Sequence, residues 1–338
     1  MITIDGSFGE GGGQILRTSL SLAAITGTEV KLENLRANRP KPGLMRQHLA
    51  CAKAVAEICG GELEGAELKS SRLVFRPNKI RGGEYHFAIG SAGSTILLAQ
   101  TVLPVLLFAD TPSTVAIEGG TYNEKAPAFD FFEEAYLPCL RKMGVEAEVD
   151  MKRVGFYPAG CGRIELHVKP VRAWRRLSLR ERGNLQDALV TAIGSGLDKS
   201  ILVDELRFFQ AGLEHIVDFR TEIADVKSAG PGNVLVAKLR YDNLTEVFSV
   251  CGNFGVSRQS VAKQTVRFAW QYLSRNWVVG QFLADQLMLP MALGAGGGYL
   301  TGRPTLHSET NRAVIKRFMD VNVNFRKEDN NYIMEIEK

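Results

Sequence analysis

Gly9-Glu10-Gly11-Gly12-Gly13-Gln14 leads into an apolar run from Ile15 to about Thr26, and Gly90-Ser91-Ala92-Gly93-Ser94 leads into a second from Thr95 to Phe108. Both runs carry apolar residues at helical spacing. The segments after the two runs also match. An extended stretch comes next, Glu29 to Leu32 in the first case and Ser113 to Glu118 in the second. Then comes a loop, Arg36-Ala37-Asn38-Arg39-Pro40-Lys41-Pro42 or Gly119 to Pro127, and a second helical stretch, Leu44 to Cys59 or Phe129 to Met143. Two strand-like segments close each unit, near Phe75 and near Val168. Pro42 and Pro127 are separated by nearly the same interval as Gly9 and Gly90. One supersecondary unit has been copied.

A third copy comes later, with an interruption. Gly280 enters a helix through about Leu293, Gly294 to Gly298 make a turn, and Thr301 to Ser308 form the loop before the second helix. Strands at Val321–Phe325 and Tyr332–Ile336 end the chain. Residues 182–276 read as strand, helix (Ile201 to His215), two strands (Asn233 to Tyr241, Thr245 to Val250) and helix (Ser257 to Ser274). The expected fold is α/β (α+β). Three repeated βαβαββ-type units form a large domain from residues 1–181 and 277–338, with one small α/β domain, 182–276, inserted.

The composition is that of an ordinary soluble globular chain: 338 residues, 45% hydrophobic and 23% charged. A net charge of +4 is too mild to prove a nucleic-acid partner and permits an anionic one. The five cysteines, Cys51, Cys59, Cys139, Cys161 and Cys251, are odd in number and lack CxxC pairing, which argues against a disulfide scaffold or a structural zinc site. With no cleavable signal and no apolar run of spanning length, the expected location is cytoplasmic.

His307, in Pro304-Thr305-Leu306-His307-Ser308-Glu309-Thr310-Asn311, sits at the start of a helix among Thr, Ser and Asn caps. The helix field there disfavours imidazolium and attracts an anion such as phosphate. A neutral imidazole beside phosphate is a nucleophile with something to attack; the plain alternative is a polar residue near a cap. Gly9 to Gln14 fits neither phosphate-loop spacing, so it is either a tight turn or a cradle with Glu10 as a candidate metal ligand. Arg17, Arg36, Arg39, Lys41 and Arg46 cluster, followed by Gln47 and His48. Guanidinium forks in a proline-rich loop suit phosphate, and a solvated basic face is the ordinary alternative. Asn38, between Arg36 and Arg39, is one of the few non-glycine residue types that tolerate a left-handed backbone. His86, His167 and His215 read as structural.

Taken together, several motifs resemble the RNA 3′-terminal phosphate cyclases over nearly the whole chain. They are Asp5-Gly6, Gly9 to Arg17, Arg36-x-x-Arg39-x-Lys41-Pro42-Gly43-Leu44 with Gln47-His48-Leu49, Gly90 to Ser94, Leu283-Ala284-Asp285-Gln286-Leu287 and His307-x-x-Thr310-Asn311. The resemblance implies three repeated units, similar to the C-terminal domain of translation initiation factor 3 and to enolpyruvyl transferases, plus a small insert. It implies ATP-dependent conversion of RNA 3′-phosphate ends to 2′,3′-cyclic phosphates through a His307 adenylate and an adenylated RNA end. It assigns Gln100, Pro127, Phe282, Leu283, Ala284, Asp285 and Gln286 to the nucleotide. Arg17, Arg36, Arg39, Gln47 and His48 go to the phosphates, and Glu10 to Mg²⁺ or Mn²⁺. The implied partners are ATP and RNA with a 3′-phosphate; no membrane is implied, and the oligomeric state is left open. Three positions depart from the family pattern: Val154-Gly155, Gly160-Cys161-Gly162, where Cys161 is expected to resist positive φ, and Phe282 in place of tyrosine. Two other readings share the fold, a non-catalytic relative acting in ribosome assembly and an enolpyruvyl transferase. The presence of His307 argues against the first, and the single insert with the His-x-x-Thr-Asn loop argues against the second.

Overall fold

The computed structural model describes all 338 residues. The first unit runs β1 (Ile2–Asp5), α1 (Gly13–Thr26), β2 (Val30–Glu33), α2 (Arg46–Cys59), β3 (Glu62–Glu64) and β4 (Leu73–Arg76). The second runs β5 (Gly83–Ala88), α3 (Thr95–Leu106), β6 (Ser113–Gly119), a π-helical stretch Phe131–Tyr136 continuing into α4 (Leu137–Lys142), then β7 (Ala147–Arg153) and β8 (Gly162–Val168). Their sheets have the orders β1-β2-β4-β3 and β5-β6-β8-β7. In each, the first pair is parallel and the other pairs antiparallel.

A short strand, β9 (Leu177–Leu179), comes next. After it lie β10 (Leu185–Ser195), α5 (Lys199–Leu213), β11 (Arg220–Asp225), β12 (Gly232–Tyr241), β13 (Thr245–Cys251) and α6 (Arg258–Leu273). The chain then returns through α7 (Gln281–Leu293), β14 (Gly297–Thr301), α8 (Leu306–Phe318), β15 (Asn322–Glu328) and β16 (Asn331–Glu337). The last sheet has the order β15-β16-β14-β9, with β9 parallel to β14. It therefore repeats the pattern of the first two sheets. Its first strand lies ahead of the interrupting segment, a strand that the sequence pattern of this copy does not reveal. Nor does the pattern reveal β11, which pairs in parallel with β10.

Helices α1, α2, α3, α7 and α8 pack on one another and the three sheets lie outside them. A core of 74 buried residues runs through all three units. Along β8, buried and half-buried residues alternate, as expected of a sheet with one solvated face. A separate core of 16 residues, including Phe209, Tyr272 and Leu239, fills the space between α5, α6 and the sheet β11-β10-β12-β13. Each fully buried Leu or Phe contributes about 1.5–3 kcal/mol, so this segment has a hydrophobic core of its own.

Polar contacts tie the segment to the second unit. Lys238, nearly buried on β12, reaches Asp130 and Glu134 at 2.6 Å each. Arg240 bonds both Glu134 at 2.7 Å and Asp187 at 2.8 Å. At the segment's root the Arg182 guanidinium lies 4.0 Å from the centre of the Tyr272 ring. No helix is long and apolar enough to cross a membrane.

Two backbone expectations are corrected. In the basic loop the left-handed residue is Arg36, with φ 55°, and not Asn38. The Arg36 guanidinium folds back onto the Lys41 and Gly43 carbonyls at 2.7 and 2.8 Å, which stabilises that turn. Cys161 does adopt positive φ, 56°. Gly155 packs against the backbones of Gly160 and Gly162 around it, with no room for a Cβ, which defines the turn that Cys161 completes.

Candidate active site

Four helix starts are brought together by side-chain contacts. α8 is capped by Thr305, whose Oγ1 accepts the Ser308 amide at 3.1 Å, and His307 is its second residue. The ring reaches the first turn of α1, where Nδ1 lies 2.6 Å from Gln14 Oε1. An amide oxygen only accepts, so Nδ1 carries the proton and Nε2 keeps its lone pair. The His307 pKa lies below the ordinary histidine value because the ring loses solvent, with Arg17 and then Arg39 adding to the shift. The helix field expected to hold this ring neutral is thus joined by burial and two guanidiniums.

The rest of the His-x-x-Thr-Asn motif fixes α8 in place. Thr310 Oγ1 donates to the Leu306 carbonyl at 2.7 Å and accepts the Glu10 amide at 3.1 Å. Gly9, with φ 60°, has no room for a Cβ because Thr310 Oγ1 lies there. Asn311 accepts from Thr18 Oγ1 at 3.0 Å and donates to the Asp285 carbonyl at 2.9 Å, joining α8 to both α1 and α7.

α2 begins beside α1. His48 Nδ1 accepts the Met45 amide at 3.2 Å, so its proton sits on Nε2. A Cβ on Gly13 would lie 2.5 Å from that Nε2 and 2.9 Å from Arg17 Nη1. Burial, then Arg36 and Arg17, lowers the His48 pKa to about 3. The ring is therefore a neutral donor aimed at the start of α1. Arg17 is stripped of solvent, which lowers its pKa, while Cys51 and Asp285 nearby act the other way; it remains a cation. Gln47 Oε1 accepts the Ser94 amide at 3.0 Å, bringing in the start of α3 and leaving the Gln47 amino group for a ligand.

Two carboxylates border these helix starts. Glu309 in the first turn of α8 is engaged by Arg312 at 2.8 Å, and Glu10, just ahead of α1, forms an ion pair with Arg39. A divalent ion at Glu10 would find one protein ligand. Its other oxygens would have to come from a bound phosphate and water, with Arg39 transferring to that phosphate. The residues fit a metal on those terms. The one grouping of three candidate ligands, Asp150, Glu165 and His167, is on the outer face of the second sheet, with Lys152 at 3.0 Å from Asp150.

The residues assigned to the nucleotide divide by burial. Gln100 is 9% exposed and its Nε2 has no hydrogen-bond partner, a donor held ready in α3. Pro127 is half-buried, and Phe282 is exposed, with its ring edge-on to Phe268 of α6 at 5.1 Å. Leu283 and Ala284 are core residues, 0% and 4% exposed, so a ligand at this stretch would meet them through their backbone. Asp285 is buried as well, and burial raises its pKa to about 7 despite Gln286 and Arg17. It anchors Gln286, whose Nε2 donates to Asp285 Oδ1 at 2.9 Å. Gln14 stands within the first glycine motif, yet sequence reasoning gave it no role. Its partner is 293 positions away, and no local signal could have joined them.

The family model described as RNA 3′-terminal phosphate cyclase matches residues 8–325, a span that takes in all four helix starts, and the chain belongs to that family.

Proposed function

We propose that this protein converts RNA 3′-phosphate ends to 2′,3′-cyclic phosphates at the expense of ATP, with His307 as the nucleophile. The observation that carries the reading is the 2.6 Å bond from His307 Nδ1 to Gln14, which leaves Nε2 unprotonated beside two arginines. In the first step Nε2 attacks the α-phosphorus of ATP. An N–P bond forms, the α–β bridging P–O bond breaks, and pyrophosphate leaves with its electron pair. No proton moves: the ring becomes cationic and Gln14 Oε1 still accepts from Nδ1.

In the second step an oxygen of the RNA 3′-phosphate attacks the adenylate phosphorus, and the N–P electron pair returns to Nε2. In the third, the 2′-oxygen attacks the RNA phosphorus, its proton passes to water, and AMP departs. The last step is intramolecular, so holding the end in place supplies much of the rate. Arg17 and Arg39, the His48 Nε2–H and the free Gln47 amino group are donors suited to phosphate oxygens. Gln100 and Phe282 suit the nucleoside as a hydrogen-bond donor and a stacking face. A divalent ion held by Glu10 would draw charge from the triphosphate.

The test is incubation with α-labelled ATP followed by denaturation. Label should remain bound to the wild-type chain and be missing from His307→Ala. Covalent label of equal intensity on that variant would remove His307 from the reaction.

A further inference from the structure

A hollow of about 330 Å³ opens between the second unit and the segment that interrupts the third, and none of the proposed steps uses it. Its apolar wall is Tyr122 stacked on Phe156, ring centres 5.7 Å apart and both buried. At its mouth stands Tyr157, 66% exposed, on the loop between β7 and β8. On the facing loop Phe254, fully in solvent, follows Asn253, which lines the hollow. Its polar groups include three asparagine amides and one carboxylate, Glu124. Asn253 Nδ2 donates to Glu124 Oε1 at 3.1 Å, linking the two loops. Asn233 donates to the buried Glu205 at 2.6 Å, which turns its Oδ1 toward Gly252. Any side chain at Gly252 would fill the space in front of that oxygen. Asn123 donates to the Ala92 carbonyl at 2.5 Å, and its Oδ1 is buried with no partner.

We propose that this hollow holds an unpaired nucleobase of the RNA strand, upstream of the 3′ end. The inference rests on the cyclase reading and extends it to the body of the strand. Two observations direct it. The first is chemical. The open face of Tyr157 and the Asn233 oxygen, over a floor of buried aromatic rings and with no guanidinium on the wall, suit a neutral planar base bearing an exocyclic amino group and do not suit a phosphate. The one carboxylate on the wall, Glu124, is engaged by Asn253. The second is continuity. Ala92, held by Asn123, precedes Gly93, whose Cβ position lies 3.2 Å from Gln47 at the phosphate cluster. A single loop thus separates the proposed end site from the hollow, so one strand can occupy both. Tyr157 lines the hollow and Phe254 follows Asn253 of its wall, so two exposed rings are offered to the strand as stacking faces.

The test uses the full-length protein and short single-stranded RNAs carrying a 3′-phosphate and a 5′ fluorophore. Tyr157→Ala and Phe254→Ala alter exposed rings, and unchanged melting curves would verify the fold. Each should bind RNA roughly tenfold more weakly, the scale of one base stacked on an aromatic ring. An abasic nucleotide at one upstream position should cost a similar factor in the wild type and little more in the variants, because the same contact would already be gone. 4-Thiouridine at that position should crosslink to a peptide containing Tyr157 or Phe254. Affinities within twofold of wild type for both variants and every abasic RNA would overturn the proposal, as would crosslinks confined to other peptides. Labelling of His307 by ATP, run on the same preparations, separates the two readings. Normal labelling with indifferent RNA binding sinks only the hollow, and absent labelling with base-dependent binding sinks only the adenylate.

Discussion

Replacing Gln14 with methionine keeps the length of the side chain and removes the acceptor that holds the His307 proton on Nδ1. Gln14 is 7% exposed, so the thioether occupies the same buried space. Two losses result. A neutral hydrogen bond of this kind contributes about 0.5–1.5 kcal/mol. The freed ring then shares its proton between both nitrogens, and the form protonated on Nε2 cannot attack. Together these amount to about 2 kcal/mol, or about a 30-fold fall in the rate of adenylate formation. The assay is single-turnover labelling with α-labelled ATP, alongside an independent measurement of ATP affinity, which should stay near wild type. Gln14→Glu supplies a second readout. The pKa of His307 lies below the ordinary value, so wild-type labelling should hold as pH falls to about 6.5 and decline only below it. A carboxylate on Nδ1 raises the pKa, so the decline should begin at higher pH. Labelling by Gln14→Met within twofold of wild type would refute the reasoning, and so would an unmoved pH profile in Gln14→Glu.

Other perturbations test the surroundings. His48 stays neutral in the fold to about pH 3 but takes up a proton near 6.5 when unfolded, so the unfolded chain binds more protons in that window and stability falls as pH drops through it. His48→Gln should flatten that loss, as read by denaturant unfolding at about pH 6.5 and about pH 4; an unchanged slope would mean the ring is not held as described. Glu246 is fully buried, accepts the Gly280 amide at 2.7 Å, and is raised by burial to about 8. The folded chain therefore retains a proton that the unfolded chain releases near 4.5, and stability declines as pH rises from there to 8. Glu246→Gln should remove this decline, and melting temperatures that run parallel to wild type across the range would contradict it. Glu10→Ala should raise the divalent metal concentration needed for labelling several-fold; a superimposable titration would take Glu10 out of the metal site.

Some of this could be read along the chain and some could not, for identifiable reasons. The glycine clusters at Gly9 and Gly90 precede long periodic helices, and such signals survive any tertiary context. β9 is only Leu177-Ser178-Leu179, too short for a period to register, and its partner β14 lies on the far side of the interruption. Phe131–Tyr136 winds as a π-helix with the same apolar faces an α-helix would present, so its pattern does not distinguish the two. At Cys161 the local preference against positive φ was overridden by glycine backbones packed around it. The family resemblance assigns Phe282 to Gln286 to a ligand as a block. A helix turns about 100° per residue, so Leu283 and Ala284 face the core while Phe282 and Gln286 do not.

The repeat also explains how one residue type serves two opposite ends. His48 and His307 both lie in the first turn of the second helix of their units, α2 and α8. Both are close to the start of α1, and burial first, then nearby arginines, lowers the pKa of both. What separates them is the partner of Nδ1. The Met45 amide donates to His48, which forces the proton onto Nε2 and makes that atom a donor for an anion. Gln14 accepts from His307, which forces the proton onto Nδ1 and leaves Nε2 a lone pair for phosphorus. The first partner lies three residues away on the same turn, whereas the second is a glutamine from another copy of the unit, 293 positions away. A change of one hydrogen-bond partner is therefore enough to turn a ring that donates from Nε2 into one that keeps a lone pair there. Exchanging the partner in the proposed nucleophile, as in Gln14→Met, should cost rate and leave ATP affinity alone, whereas His48→Gln should raise the KM for the RNA end more than it lowers the labelling rate.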